Sequence, residues 1–441
     1  MFMSIPSNVP SSQQTALTIA TIIIAAVVIL KCMLIYLKGR NNTGLNLLLQ
    51  FQGKKRPPVG HVIGKVREIN VFPGKSMAAC PLRKCSVTCA GLKGDRLLMV
   101  VKVTKFSKVV ATQRNLPQLS QISAIWNEHN GSKVTLSLIQ NDPTNSRSTT
   151  YAESSSSASL LPLPPLVLDL TKLIKKQDND SNCTGNKNST VVIDLHSIKA
   201  HCVDLGDEAA VWIQKAISAV LSASSKSTTE SSNSCNYRIF ALAPKELRRV
   251  YRSPARLLME DARIYDATRL ADLAPITFTS DASLTALNQV IQSSYDNKNN
   301  NQQRNEDIPM NRFRSNIVMT PATDSEELAF LEDHIQTIQI GSNLILRSIG
   351  PTMRCVIPTI NQDTGEAGFQ KNIKIAEPIV TLKRLRSGGL RYGLSGLLPV
   401  KSGGSKSLAP LFGVYLGTEH PDSSGEVSVG DLIRVLEYKR Q

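Results

Sequence analysis

Short runs of alternating apolar and polar residues, cut repeatedly by Gly- and Pro-containing turns, set the frame for this chain. Val62–Val71 (VIGKVREINV) alternates as a half-buried strand does. Arg83–Cys89 and Arg96–Val103 read the same way, joined by Ala90-Gly91-Leu92-Lys93-Gly94-Asp95. Val109–Thr112, Val134–Ile139 and Val191–Leu195 add short β runs. Near the C-terminus the pattern returns at Thr337–Ile340, Leu344–Arg347, Met353–Thr359, Phe412–Gly417 and Glu426–Leu436. Many short strands between turns predict a β-barrel or sandwich. Helices are few. Asp207 can open one that carries Ala210, Ile213, Ile217, Val220 and Leu221 on one face. A second starts near Ser283, with Leu284, Leu287, Val290 and Ile291, and a third spans Pro378–Leu385.

The segment ahead of the strands is different in kind. Thr15–Leu37 is apolar apart from Lys31 and a few threonines, about the length that spans a bilayer. Residues 1–14 carry no Lys or Arg, while Lys38, Arg40, Lys54, Lys55 and Arg56 follow the run. A cleaved signal peptide wants its positive charge first. The positive-inside rule therefore predicts a single N-terminal anchor with the following domain facing the cytosol. A modest span with basic flanks suits the mitochondrial outer membrane, with the endoplasmic reticulum as the alternative. Residues 142–160, 177–190, 222–235 and 296–306 are polar tracts that cannot bury a core and are expected as surface loops.

Net charge is +16, which points to an anionic membrane surface, cofactor, acidic protein or nucleic acid. Aromatic residues make up only 5%, and no run alternates basic with aromatic side chains, so nucleic acid is disfavoured. The eight cysteines are thinly spread without CxxC pairs, unlike a disulfide scaffold. HExxH, GxSxG and GxGxxG are absent.

Three segments offer chemistry. Phe72-Pro73-Gly74-Lys75-Ser76 follows a strand, and Lys75 with Ser76 suits a phosphate or other anion. In Arg312-Phe313-Arg314-Ser315-Asn316-Ile317-Val318, strand alternation would place Arg312, Arg314 and Asn316 on one face, able to clamp an anion and read a heterocycle edge. In Thr352-Met353-Arg354-Cys355, Arg354 favours a Cys355 thiolate, a soft metal ligand or a nucleophile. Each has an ordinary alternative: a solvated turn, a charged strand edge and a packed free thiol.

Taken in order, these segments resemble a known family. The motifs are Phe72–Ser76; Ala90-Gly91-Leu92 with Asp95-Arg96; Thr112-Gln113-Arg114 with Pro117; Asp281-Ala282-Ser283-Leu284 with Leu287-Asn288; Asn311–Val318; Arg354-Cys355 with Asp363-Thr364-Gly365; Pro410–Tyr415; and Val429-Gly430-Asp431. They resemble the MOSC-domain proteins that carry an N-terminal β-barrel partner domain, and among these the mitochondrial amidoxime reducing components. The resemblance implies an α+β, β-rich fold: a MOSC N-terminal β-barrel domain over residues 61–242 and a MOSC β-barrel domain over 243–441. One transmembrane helix (15–37) and a linker (38–60) would precede them. It also implies molybdenum cofactor, with Cys355 as the molybdenum ligand and Lys75, Ser76, Arg96, Arg312, Arg314 and Asn316 as cofactor contacts. Similar proteins reduce amidoximes and hydroxylamines with electrons from NADH through cytochrome b5 reductase and cytochrome b5. The alternative in the same family is a module that carries molybdenum cofactor or its sulfur without turnover. A second branch, the C-terminal part of molybdenum cofactor sulfurase, follows a pyridoxal-phosphate domain, where this chain has the expected anchor.

Several positions depart from the family pattern. Ser315 stands where Pro is usual, Met77 where Cys follows Lys-Ser, and Leu273-Ala274 where hydroxyl residues precede Pro275. Thr323-Asp324-Ser325-Glu326 replaces an acidic turn containing Trp.

Overall fold

The computed structural model describes residues 56–126, 133–139, 163–171, 190–195, 198–223, 236–243, 246–250, 259, 261–296, 307–323, 328–368, 376–386 and 410–440. The expected anchor lies outside these residues, as do nearly all of the four polar tracts. Among the described residues no helix is long and apolar enough to cross a membrane.

The central element is a closed barrel of seven strands. Its staves are β1 (Val62–Val71), and later in the chain Ile276–Ser280, Ile317–Pro321, Ile335–Ile340, Leu344–Met353, Leu411–Thr418 and Leu432–Tyr438. Between β1 and these lie β2 (Leu98–Val103), β3 (Lys108–Val110), β4 (Thr190–Leu195), β5 (Ile198–Asp204) and β6 (Asn236–Leu242). The six later staves are therefore β7 to β12 in chain order. The ring runs β8-β7-β11-β10-β9-β12-β1, and β1 closes it by pairing with β8. Closure leaves no ring strand with an open edge. β1 thus stands among strands of the C-terminal half: Val62 pairs with Arg434, and Ile69 with Ile317.

β7 and β8 are the parallel pair of the ring, and α2 (Asp281–Asp296) supplies the crossover that parallel strands require. Ala282, Ala286, Leu287, Val290 and Ile291 recur at helical spacing and are buried, and the Thr320 hydroxyl on β8 donates to Asp281 Oδ2 at 2.7 Å. Ile69, Phe278, Val318, Ile338, Leu346, Val414 and Val435 fill the core that the barrel shares with its surroundings.

A second sheet, in the order β4-β5-β6-β2-β3, is covered by α1 (Asp207–Ala223). Its inward face includes Ala210, Ile213 and Ile217 as expected. Leu221, expected on that face, is 43% exposed at the helix end. The remaining β structure described is two three-stranded sheets (Ile122–Trp126 with Lys133–Leu138 and Leu166–Asp169, and Gly425–Ser428 with Lys84–Thr88 and Gly91–Leu92), the pair Arg248–Arg249 with Ala267–Thr268, and the short strand Cys80–Leu82 against the end of β1.

Three local expectations are corrected. Leu344–Arg347 and Met353–Thr359 are not separate strands. β10 runs unbroken to Met353, and Ile357–Thr359 is a 3-10 turn after it. Glu426–Leu436 is two strands, split where Gly430 takes φ +98°. Arg312–Asn316 is not strand: Met310–Phe313 is a 3-10 turn, Arg314 caps it in the left-handed region, and β8 begins at Ile317.

Candidate functional site

Two loops are stitched together where β1 ends. The Phe72 amide donates to Asp95 Oδ1 (2.7 Å), and the Arg96 amide donates to the Phe72 carbonyl (2.9 Å). The amides of Leu97 and Leu98 both reach the Pro73 carbonyl, while the Lys75 amide reaches that of Leu98. A Cβ at Gly74 would sit 2.1 Å from the Met77 sulfur, so any other residue here would make the Met77 side chain shift. The turn drives Lys75 and Ser76 inward, leaving them 4% and 5% exposed.

Ser76, Arg96 and Arg314 adopt positive φ (66°, 52° and 51°), and Phe330 is the only other non-glycine residue described to do so. A side chain in this region costs roughly 1 kcal/mol or more, and such strain gathers at functional sites. The guanidiniums of Arg96 and Arg314 both lie over the Phe72 ring, 4.5 and 4.3 Å from its centroid. Arg314 also donates to the Met77 carbonyl (2.7 Å) and to Gln362 Oε1 (3.1 Å). Gln362 and Gln113 exchange amide hydrogen bonds of 3.0 and 3.1 Å, and Gln113 donates to the Ser76 carbonyl (2.8 Å). This amide pair ties the Lys75 turn to the loop after Cys355.

Cys355 sits just past the end of β10, half-buried. The Arg114 guanidinium lies beside it, and Arg114 also donates to Asp272 Oδ2 at 2.6 Å. The other Asp272 oxygen accepts from Lys75, whose ammonium also donates to the Leu270 carbonyl (2.9 Å). Arg354 donates to the carbonyls of Phe412 (2.9 Å) and Phe313 (2.7 Å), two rings stacked at 4.0 Å. Its remaining Nη2 is buried without a hydrogen-bond partner.

The electrostatics are lopsided. Lys75, Arg96, Arg114, Arg248, Arg269 and Arg314 share Asp95 and Asp272, six cations to two carboxylates, and Arg354 adds another charge beside Cys355. Burial pushes the Lys75 ammonium down to about 8, with Asp272 opposing and Arg96 and Arg248 adding to the fall. Burial likewise takes Arg354 down to about 10, against Tyr415 and Cys355. Arg314 is held well below the usual guanidinium range, first by burial and then by Arg96. For Arg114 burial acts downward, yet Asp272 and Cys355 carry the balance upward. Burial raises the Asp95 carboxyl against the pull of Arg96. Buried positive charge in this excess calls for an anion.

The site therefore gathers Lys75, Ser76, Arg96, Arg314 and Cys355 through shared neighbours. Asn316 is buried but engaged elsewhere. Its Oδ1 accepts from the Thr277 amide (3.0 Å), its Nδ2 donates to the Asn70 carbonyl (3.1 Å), and its amide lies close enough to Asp95 to favour the carboxylate. Arg312 lies half-buried on the 3-10 turn, and it is not among the charges that weigh most on Arg314. Asp272 and Gln362 were not singled out from sequence, and Phe72, Arg114 and Tyr415 stood in motifs without a role of their own. Tyr415 is buried beside Arg354, and burial drives its phenol far up.

Two known families match the chain in tandem. The MOSC N-terminal beta barrel domain matches residues 63–163, and the MOSC domain matches 267–434. The chain is a MOSC-domain protein. Mitochondrial amidoxime reducing component 2 of Bos taurus is 31% identical over 160 residues, 36% of this chain and 36% of that protein. Molybdenum cofactor sulfurase of Drosophila mojavensis is 33% identical over 88 residues, 20% of this chain and 10% of that protein. The sulfurase of Drosophila ananassae is 34% identical over the same length. The matched stretches thus span about a third or less of these relatives.

Proposed function

We propose that this MOSC-domain protein is a molybdenum-cofactor-dependent oxidoreductase that reduces N-hydroxylated substrates such as amidoximes and hydroxylamines. The observation that carries this reading is the buried cation excess beside a half-exposed thiol, held by three residues in left-handed conformation. The cofactor carries a phosphate and anionic sulfur, and the residues present fit it. Lys75, Ser76, Arg96 and Arg314 are suited to its anionic parts, the Nη2 of Arg354 is a buried donor still lacking an acceptor, and Cys355 offers a thiolate for the metal. Among the described residues no group of three or more His, Cys, Asp or Glu could hold a metal, so a metal at Cys355 would bring further ligands of its own.

When bound, the cofactor supplies the two-electron redox chemistry. The chain's residues hold and orient. Asp272 keeps Lys75 and Arg114 in place, and Arg114 in turn lies beside the Cys355 side chain. The Gln113–Gln362 pair fixes Arg314. Asn316 acts through Asp95 and the turn at Phe72, while Arg312 stands at the margin. Reduction of an N–OH group consumes two electrons and two protons and releases water. In this reading the electrons come from NADH through cytochrome b5 reductase and cytochrome b5. Residues 15–37 hold the protein on the cytosolic side of a membrane, the mitochondrial outer membrane in preference to the endoplasmic reticulum. The domain division at residues 242 and 243 belongs to the same proposal.

Metal analysis of the full chain, purified from cofactor-replete cells, should find molybdenum near one equivalent. Benzamidoxime should turn over with the reconstituted donors, and Cys355→Ser should lower that turnover at least a hundredfold while near-ultraviolet circular dichroism stays unchanged. Molybdenum without turnover would assign the carrier role, which the similarity to sulfurases favours. Absence of the metal would sink both readings.

A further inference from the structure

The hairpin of β2 and β3 is a feature that the cofactor site does not use. Its tip carries Phe106, 91% exposed, the most exposed large apolar side chain among the described residues. The turn itself holds the ring outward. The Thr104 amide donates to the Ser107 carbonyl (2.9 Å), and the Ser107 amide donates back to Thr104 Oγ1 (3.0 Å). No packing neighbour is needed for that geometry. The Lys105 ammonium stands 5.7 Å from the ring centroid, and Lys108 is exposed on the other side of the turn. Val109 is 49% exposed and pairs across the hairpin with Lys102. Residues 98–111 contain no Asp or Glu, and neither does the adjoining strand β6. The acids Asp204 and Asp207 beyond it are engaged by Arg238.

We infer that this hairpin is a contact element for a negatively charged bilayer surface. A ring ringed by lysines at a narrow tip matches the membrane interface, where aromatic side chains sit at headgroup depth and basic residues meet anionic lipid. An acidic protein is the weaker occupant, because a stable partner needs about 800 Å² of surface on each side. A four-residue turn with one neighbouring valine offers far less. The inference rests on neither the cofactor reading nor the anchor. With an anchor in place, the hairpin sets which face of the body meets the membrane.

The test uses full-length Phe106→Trp on phosphatidylcholine vesicles with brominated chains, with and without phosphatidylserine. Trp126 and Trp212 are 3% and 6% exposed, so the introduced indole is the one a lipid quencher reaches. On anionic vesicles its emission should shift to the blue and fall by at least half. On neutral vesicles the quenching should be several-fold weaker, as it should be when Lys105→Glu and Lys108→Glu are added. These side chains are exposed, so the variants should fold normally. Flotation reports separately whether the chain is on the vesicle. A chain that floats while its indole stays unquenched would keep the anchor and overturn the hairpin contact, leaving the tip to water or to a protein. Equal quenching on neutral and anionic vesicles would overturn it too, since the lysines would then do nothing.

Discussion

At the scale of single residues, Lys75 is the most sensitive reporter of the site. Its ammonium, buried and brought down to about 8, titrates close to neutral pH. An anion binds the protonated form, and binding drives the proton back on. Affinity should therefore hold steady below about pH 7, then fall by up to tenfold per pH unit above about 8. Sulfate is a suitable probe because it does not titrate in this range, and calorimetry from pH 6 to 9 would read the curve. Lys75→Met should bind more weakly and flatten the profile. A flat profile in the unaltered protein would mean that Lys75 does not face the anion. Asp272 explains why the lysine is not displaced further, since it holds both Lys75 and Arg114. That carboxylate was invisible in the sequence: Asp272 and Arg114 lie 158 residues apart and meet only through the fold.

At the scale of elements, the junction between β1, β7 and the turn before β8 depends on one amide. Asn316 satisfies the Thr277 amide and the Asn70 carbonyl with its side chain while its own backbone pairs with the same two residues. Asn316→Ala leaves both groups short of a partner and should destabilise the protein by about 2 kcal/mol in denaturant titration. Sulfate affinity should fall as well, because Asp95 and the Phe72 turn lose support. Lost affinity at unchanged stability would instead make Asn316 a direct ligand contact. The same junction marks what could be read in advance. Val62–Val71 was legible to the residue, since its alternation matches a strand with one buried face. The helix from Asp281 was legible because a 3.6-residue apolar stripe has no competing period. β5 (IKAHCVD) was missed, as Lys199 and His201 blur its alternation. The stretch from Arg312 was misread for another reason. The left-handed turn at Arg314 is held by tertiary bonds to Met77 and Gln362, and no local pattern announces it.

For the whole molecule, the barrel ignores the order of the chain. β1, read from sequence as part of an N-terminal domain, is a stave between β12 and β8 of the C-terminal half. Residues 243–441 expressed alone should therefore lack a cooperative thermal transition and bind hydrophobic dye, since two strand edges and the core beneath them stand open. A sharp melt of that fragment would mean the barrel closes without β1. Synthesis of the protein inherits the same geometry. Val62 leaves the ribosome long before its partner Arg434 is made, because hundreds of residues separate them. Until β12 has been made, β1 is a sticky edge awaiting that neighbour, and contacts this distant in sequence form slowly. Nascent chains should accordingly lean on chaperones until the final strand emerges, and a ribosome that stalls before β12 would release an open barrel.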